Sequence, residues 1–243
     1  MYKIILLLLV SNTYAVVPSA HQLNVKSIWG NCPVKSTSQL SLLLTKQFET
    51  EKSLKALKER ILKDKLEEKY FLSSYKVQFN PLLNKLSFQY DCPNPIMKVN
   101  VYKDNSLNYY TTVLADNGKL YDPSFELLMK SEGILKKELP HMAVPLNAIE
   151  KIDSGSITNT LKSLNEFLKD RLSEVILNNK GDLTVILSIN NHTSTAYFGN
   201  DDWKMKFRKL TKIVKYFEDK QKIPTSLNLT NPKKIVVKFS ESI

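Results

Sequence analysis

The apolar residues of this chain change their spacing from three or four to two near residue 73, and the order of that change leaves few architectures open. Leu40, Leu43, Leu44 and Phe48 recur at helical steps, and Ser36 or Thr37 can cap the helix they predict. A second helix begins near Thr50 and carries Leu54, Leu57, Ile61, Leu62, Leu66 and Tyr70, with lysines and glutamates on its wet face. Beyond it Tyr75, Val77 and Phe79 alternate with Lys76 and Gln78. Asn80-Pro81 to Asn84 supplies a turn, and Leu86, Phe88 and Tyr90 alternate again, which predicts a hairpin. Ahead of the helices, Leu23, Val25 and Ile28 predict a short strand that stops at Gly30-Asn31, residues that tolerate a left-handed backbone. Residues 22–92 therefore read as strand, helix, helix, strand, strand. Two helices cover one face of a three-stranded sheet whose third strand is central and parallel to the first.

Pro93 and Pro95 interrupt the chain, and a second domain over 93–243 is expected. Residues 96–102 alternate, 109–114 are β-branched and aromatic, and Asp116-Asn117-Gly118 marks a tight turn before Leu120 and Tyr121. The pattern over 125–139 does not decide between helix and strand. Met142, Ala143 and Val144 read as a short strand. Ser156 or Thr158 then opens a long helix through Leu161, Leu164, Leu168, Leu172, Val175 and Ile176, which Asn178-Asn179-Lys180-Gly181 stops. Residues 183–189 and 193–198 predict a hairpin around Asn190-Asn191. A helix capped by Asp201 or Asp202 sets Trp203, Phe207, Leu210, Val214 and Phe217 on one stripe, with Lys204, Arg208, Lys212 and Lys215 away from it. Strands over 226–229 and 234–239 end the chain. The fold class is α+β: a β-α-α-β-β domain, then a mixed α+β domain with a curved, mainly antiparallel sheet and two helices.

A formal charge of +11 would suit a polyanion if it were focused, but lysines run through nearly every segment. Arg60, Arg171 and Arg208 are the only arginines, so the forked guanidinium that reads phosphate or guanine is scarce, and no nucleic-acid partner is expected. Near the start, Lys3 precedes an apolar run over 4–10, and Thr13-Tyr14-Ala15 ends in a small residue suited to signal-peptidase cleavage. The run is far shorter than the roughly 20 residues that cross a bilayer. A signal peptide over 1–15, or reaching residue 20, is expected, and with it a periplasmic or envelope location. Peripheral association with the inner membrane is compatible with that location, and retention of the segment would instead anchor the protein there. In an oxidising compartment Cys32 and Cys92 are expected to form a disulfide, the alternative being two separately buried thiols. A closed loop of about 60 residues would stabilise the fold by roughly 4 kcal/mol.

The chemistry expected of an enzyme is sparse. His21, His141 and His192 lie in three separate segments, away from other metal ligands at binding spacing, and no metal or other cofactor is expected. The six glycines form no phosphate cradle, and no Gly-x-Ser-x-Gly elbow is present. Asp201-Asp202 reads as a helix start rather than an acid pair. The expectation is a protein that binds other proteins and is not an enzyme.

Several motifs together resemble a known family. Residues 25–31, ending Trp29-Gly30-Asn31, with Val34 and Leu40, resemble the opening of a POTRA domain in the bacterial cell-division family FtsQ, also called DivIB. Val77, Asn80-Pro81, Leu86, Phe88, Tyr90 and Asp91 are similar to that domain's second and third strands. The run Ala115-Asp116-Asn117-Gly118-Lys119-Leu120-Tyr121 is similar to the region of the family's Asp-x-x-Gly turn, spaced Asp-x-Gly here, and the segment 183–199, ending Tyr197-Phe198-Gly199, with the helix through Leu210 is similar to its Gly-centred strand and helix. Leu227-Asn228-Leu229 and the segment 231–237 are similar to its closing strand pair, with Asn228-Leu229-Thr230 where the family has Asp-Leu-Arg. On this reading the expected signal peptide stands in place of the family's usual transmembrane anchor.

The resemblance implies a septation scaffold, with a POTRA-like domain over 22–92 and a β-domain over 93–243. It also implies a C-terminal strand that receives a strand from a division protein of the FtsB and FtsL type. On this chain that strand is Lys234, Ile235, Val236, Val237, Lys238 and Phe239, with Ile235, Val237 and Phe239 facing one side. A simple covered strand is the alternative at that position. Other readings are a POTRA-like periplasmic chaperone using the hairpin edge over 75–79, an enzyme acting on an envelope polymer, and a secreted glycoprotein. The last follows from the sequons at Asn191-His192-Thr193 and Asn228-Leu229-Thr230.

Overall fold

A computed structural model describes residues 23–103, 108–149, 154–231 and 233–240, so the expected signal peptide lies outside the described residues. The chain is a mixed α+β protein with two sheets. The first comprises β1 (Asn24–Ile28), β2 (Ser74–Asn80) and β3 (Lys85–Asp91) in the order β1-β3-β2, with β3 parallel to β1 and antiparallel to β2. Helices α1 (Val34–Glu51), α2 (Leu54–Lys63) and α3 (Leu66–Lys69) separate β1 from β2. Leu40, Leu44, Phe48, Leu57 and Ile61 from the helices pack on Val77, Leu86, Phe88 and Tyr90, the residues the period-two pattern turns inward. The other face carries Lys26, Lys76, Gln78, Ser87 and Gln89.

The helix boundaries depart from expectation. α1 starts at Val34 behind Pro33, whose fixed φ suits a helix entry. Ser36 and Thr37 are buried inside the first turns, where the Thr37 hydroxyl donates to the Pro33 carbonyl at 2.8 Å. α2 starts at Leu54, where Ser53 Oγ accepts from the Ala56 amide at 3.2 Å. Lys65 takes a left-handed conformation (φ 49°) that splits the expected second helix into α2 and α3 and leaves Leu62 exposed.

The second sheet holds β4 (Pro95–Tyr102), β5 (Tyr109–Ala115), β6 (Leu120–Tyr121), β7 (His141–Pro145), β8 (Leu172–Leu177), β9 (Leu183–Ile189), β10 (His192–Gly199), β11 (Ser226–Asn228) and β12 (Val236–Lys238). Their order is β12-β11-β10-β9-β8-β7-β4-β5-β6. Pairs β4–β7, β7–β8 and β10–β11 are parallel, and the other pairs are antiparallel. Between strands lie α4 (Ser124–Ser131), α5 (Leu146–Ile149), α6 (Ser154–Lys162), α7 (Glu166–Lys169) and α8 (Trp203–Asp219). Ile157, Leu161, Leu168, Phe207, Leu210 and Val214 from α6, α7 and α8 cover one face. α4 packs Phe125 and Met129 with Val113 and Ala115 in a separate cluster at the β5 end.

The expected long helix from 156 or 158 to 176 is a correction. α6 ends at Lys162, Asn165 caps α7 by accepting the Leu168 amide at 3.0 Å, and Leu172, Val175 and Ile176 belong to β8. Leucines three or four apart mimic one helix. The segment nevertheless ends in β-branched Val175 and Ile176 and gains hydrogen-bonded neighbours on both sides, β7 and β9, which outweighs the spacing. The sequence expectation of two helices in this half likewise gives way to five among the described residues, two of them only four residues long.

The two sheets meet through Phe71, which follows α3 with φ 58° and is buried against Phe125 (ring centroids 4.7 Å) and Tyr121 (6.1 Å). A bulky residue in the left-handed region is strained, and the aromatic contacts offset that cost. In a second contact between the halves the Glu132 carboxylate, from just beyond α4, accepts the amides of Val34 and of Lys35 (2.9 Å), capping α1, which has no side-chain cap of its own. Cys32 and Cys92 form a disulfide with Cα atoms 5.0 Å apart. Asn31 locks the same corner: its side chain accepts the Cys92 amide at 3.0 Å and donates to the Cys92 carbonyl.

Candidate functional site

β12 is a terminal strand of the nine-stranded sheet, and its one described strand neighbour is β11. It is shorter than the expected strand over 234–239: Lys234 and Ile235 precede it and Phe239 follows it. The loop before it is held by Asn228 and Asn231, whose side chains accept the Thr230 amide (3.0 Å) and the Lys233 amide (2.9 Å). Val237 alone of the three expected anchors packs on the main core from within the strand. Phe239 reaches Phe217 of α8 edge-on at 5.5 Å while remaining 46% exposed, and Ile235 and Val236 are exposed as well.

The phase of the ladder decides which backbone groups remain available. The Leu229 amide donates to Tyr197 at 2.8 Å, so Leu227 and Leu229 bond toward β10 while Ser226 and Asn228 bond toward β12. In agreement, the Lys238 carbonyl accepts the Thr225 amide at 2.9 Å. Val236 and Lys238 thus direct their N–H and C=O groups at β11, and Val237 directs its own off the edge. Lys233, Lys234 and Lys238 are exposed around it, and Lys212, Lys215, Lys220 and Lys222 are exposed on and just after α8.

α8 itself is fixed to β10. Lys206, only 2% exposed, donates to the Phe198 carbonyl at 2.7 Å and pairs with Asp201, whose carboxyl is held below the usual range by that hydrogen bond. Trp203 Nε1 donates to the Gly199 carbonyl at 2.9 Å. Asp202 is the residue ahead of the helix, but in a left-handed conformation and without a side-chain cap bond. The Asp201-Asp202 pair therefore divides its work between an ion pair and a chain reversal.

Histidines and other potential metal ligands do not converge among the described residues. His141 and His192 lie exposed on different strands, His21 is outside the described residues, and no cluster of three potential metal ligands occurs among the described residues. Glu126, 2% exposed, is the one buried carboxylate among the described residues. Lys130 lies 2.8 Å and Lys98 3.5 Å from it, and Glu138 approaches Lys130 at 2.7 Å. This network joins α4 to β4 as a structural tie, and sequence spacing alone shows only its Glu126–Lys130 leg. Tyr90 is pushed up to about 12 by burial, with a smaller opposing effect of its hydrogen bond to Ser41.

Comparison of the sequence with protein-family models and with curated proteins finds no match.

Proposed function

We propose that this protein is a non-enzymatic envelope scaffold that binds an extended segment of another protein by strand addition along β12, as the resemblance to FtsQ and DivIB implies for division proteins of the FtsB and FtsL type. The observation that carries this reading is the outward-facing backbone of Val237 on a sheet edge bordered by Lys233, Lys234 and Lys238. Unpaired edge groups supply affinity, and the lysines discourage indiscriminate pairing while favouring an acidic partner strand. The β-α-α-β-β order and the central third strand of the small sheet support its reading as a POTRA-like domain.

Replacing Val237 with proline removes the outward donor without touching a bond to β11. Capture of envelope proteins by the purified chain is expected to fall at least tenfold in this variant while its circular dichroism is unchanged. Equal capture by the folded variant rejects the assignment of β12. A second reading, a POTRA-like chaperone, is favoured by the length of β2, a seven-residue edge of the small sheet. Partners lost on placing proline in β2 and kept in Val237→Pro would select it.

A further inference from the structure

We infer that the turn joining β2 to β3 is a membrane-docking tip that seats Leu82 and Leu83 in an anionic phospholipid surface. Leu82 is 94% exposed, the most of any large apolar side chain among the described residues, and its neighbour Leu83 is 65% exposed. Scattered exposed leucines need no explanation, but two adjacent ones at the apex of a hairpin form a projecting apolar point. The turn is built to hold them outward. Asn80 Oδ1 accepts the amides of Leu82 (3.0 Å) and Leu83 (3.3 Å), and the Asn84 amide donates to the Pro81 carbonyl at 3.3 Å.

The route of the chain identifies what the tip meets. The Asn24 amide donates to the Asn84 carbonyl at 2.9 Å, so β1 enters the fold beside this turn. Leu23, the first described residue, therefore lies at the same end, and the apolar run over 4–10 precedes it in the sequence. The turn and the entry of the chain into the fold thus lie at one end of the small sheet, so a surface met by the segment that enters there is within reach of the leucines. Lys85 adjoins the turn, and Lys26, opposite Ser87, shares its outer sheet face, placed for phosphate headgroups once the leucines enter the interface. The helical side is mixed, since α1 ends there with Glu49 and Glu51 beside Lys52, so contact is favoured on the sheet side.

The proposal is independent of β12 and is tested on the chain from Val16 onward, which retains every described residue. In flotation with vesicles of phosphatidylethanolamine and phosphatidylglycerol, the protein is expected to rise with the lipid, and Leu82→Ser/Leu83→Ser to reduce the bound fraction at least tenfold. Leu82→Trp is expected to shift its emission to the blue and to be quenched by brominated lipid, a readout that general charge attraction does not give. Failure of the wild type to float, or equal flotation of the serine variant, overturns the inference. So does a wild-type dimer in sedimentation velocity that the serine variant loses, because the leucines would then bind a second copy.

Discussion

The small sheet and the large one solve the same problem with different means. The three-stranded sheet buries one face beneath α1 and α2, presents a polar face opposite, and relies on a disulfide, a buried Tyr90–Ser41 hydrogen bond and a helix cap borrowed from residue 132. The nine-stranded sheet needs no covalent tie: its interior strands are paired on both sides, and α6, α7 and α8 lie over a continuous core from Met97 to Leu229. A small domain buries too little apolar surface to be comfortable alone, whereas a large sheet gains with each strand. Stability in this molecule is thus local and cross-linked in one half, cooperative and apolar in the other.

Each half holds one tryptophan, Trp29 against Tyr90 and Trp203 at the start of α8, so single-tryptophan variants report the halves separately. The largest expected effect is that of removing the disulfide. Cys32→Ala/Cys92→Ala should lower the unfolding free energy seen by Trp29 in guanidinium titrations by about 4 kcal/mol. The Trp203 transition should move much less, and equal shifts would erase the contrast drawn above.

Phe71→Ala comes next, at about 3 kcal/mol, because it deletes a buried ring from the contact between the halves. It should also pull the two fluorescence transitions apart, and transitions that stay coincident would show that the halves are coupled elsewhere. The smallest effect separates the halves by pH. Tyr90 ionises near 10 when unfolded and at about 12 when folded, so over that window the unfolded chain releases a proton that the folded chain keeps. Stability is full well below pH 10 and is lower by about 2 kcal/mol once pH reaches 12, on the Trp29 side. Tyr90→Phe should flatten that slope.

Much of the small sheet was legible because its signals are local. Alternation over 75–90 sets the hairpin register, Asn80 to Asn84 sets the turn, and the strand order then brings Cys32 and Cys92 to one corner. Gly118, at φ 81°, closes the tight turn that Asp116-Asn117-Gly118 announces. What was illegible depends on partners distant in sequence. Glu132 caps a helix that begins 98 residues earlier, and Phe71 finds its place only when Tyr121 and Phe125 exist to receive it. β8 was misread because leucine spacing carries no information about the neighbours that turn a segment into an interior strand. At β12 the residues were visible, but their phase was not: which backbone groups face outward depends on how β11 bonds to β10.

The borrowed cap gives synthesis and folding different orders. The small sheet and its helices leave the ribosome first, and domains generally fold as they emerge. Here α1 has no acceptor for its leading amides until Glu132 has been made, and Phe71 has no hydrophobic seat until Tyr121 and Phe125 have followed. The half that is made first is therefore completed late, when a length of the second half has already passed through the same exit.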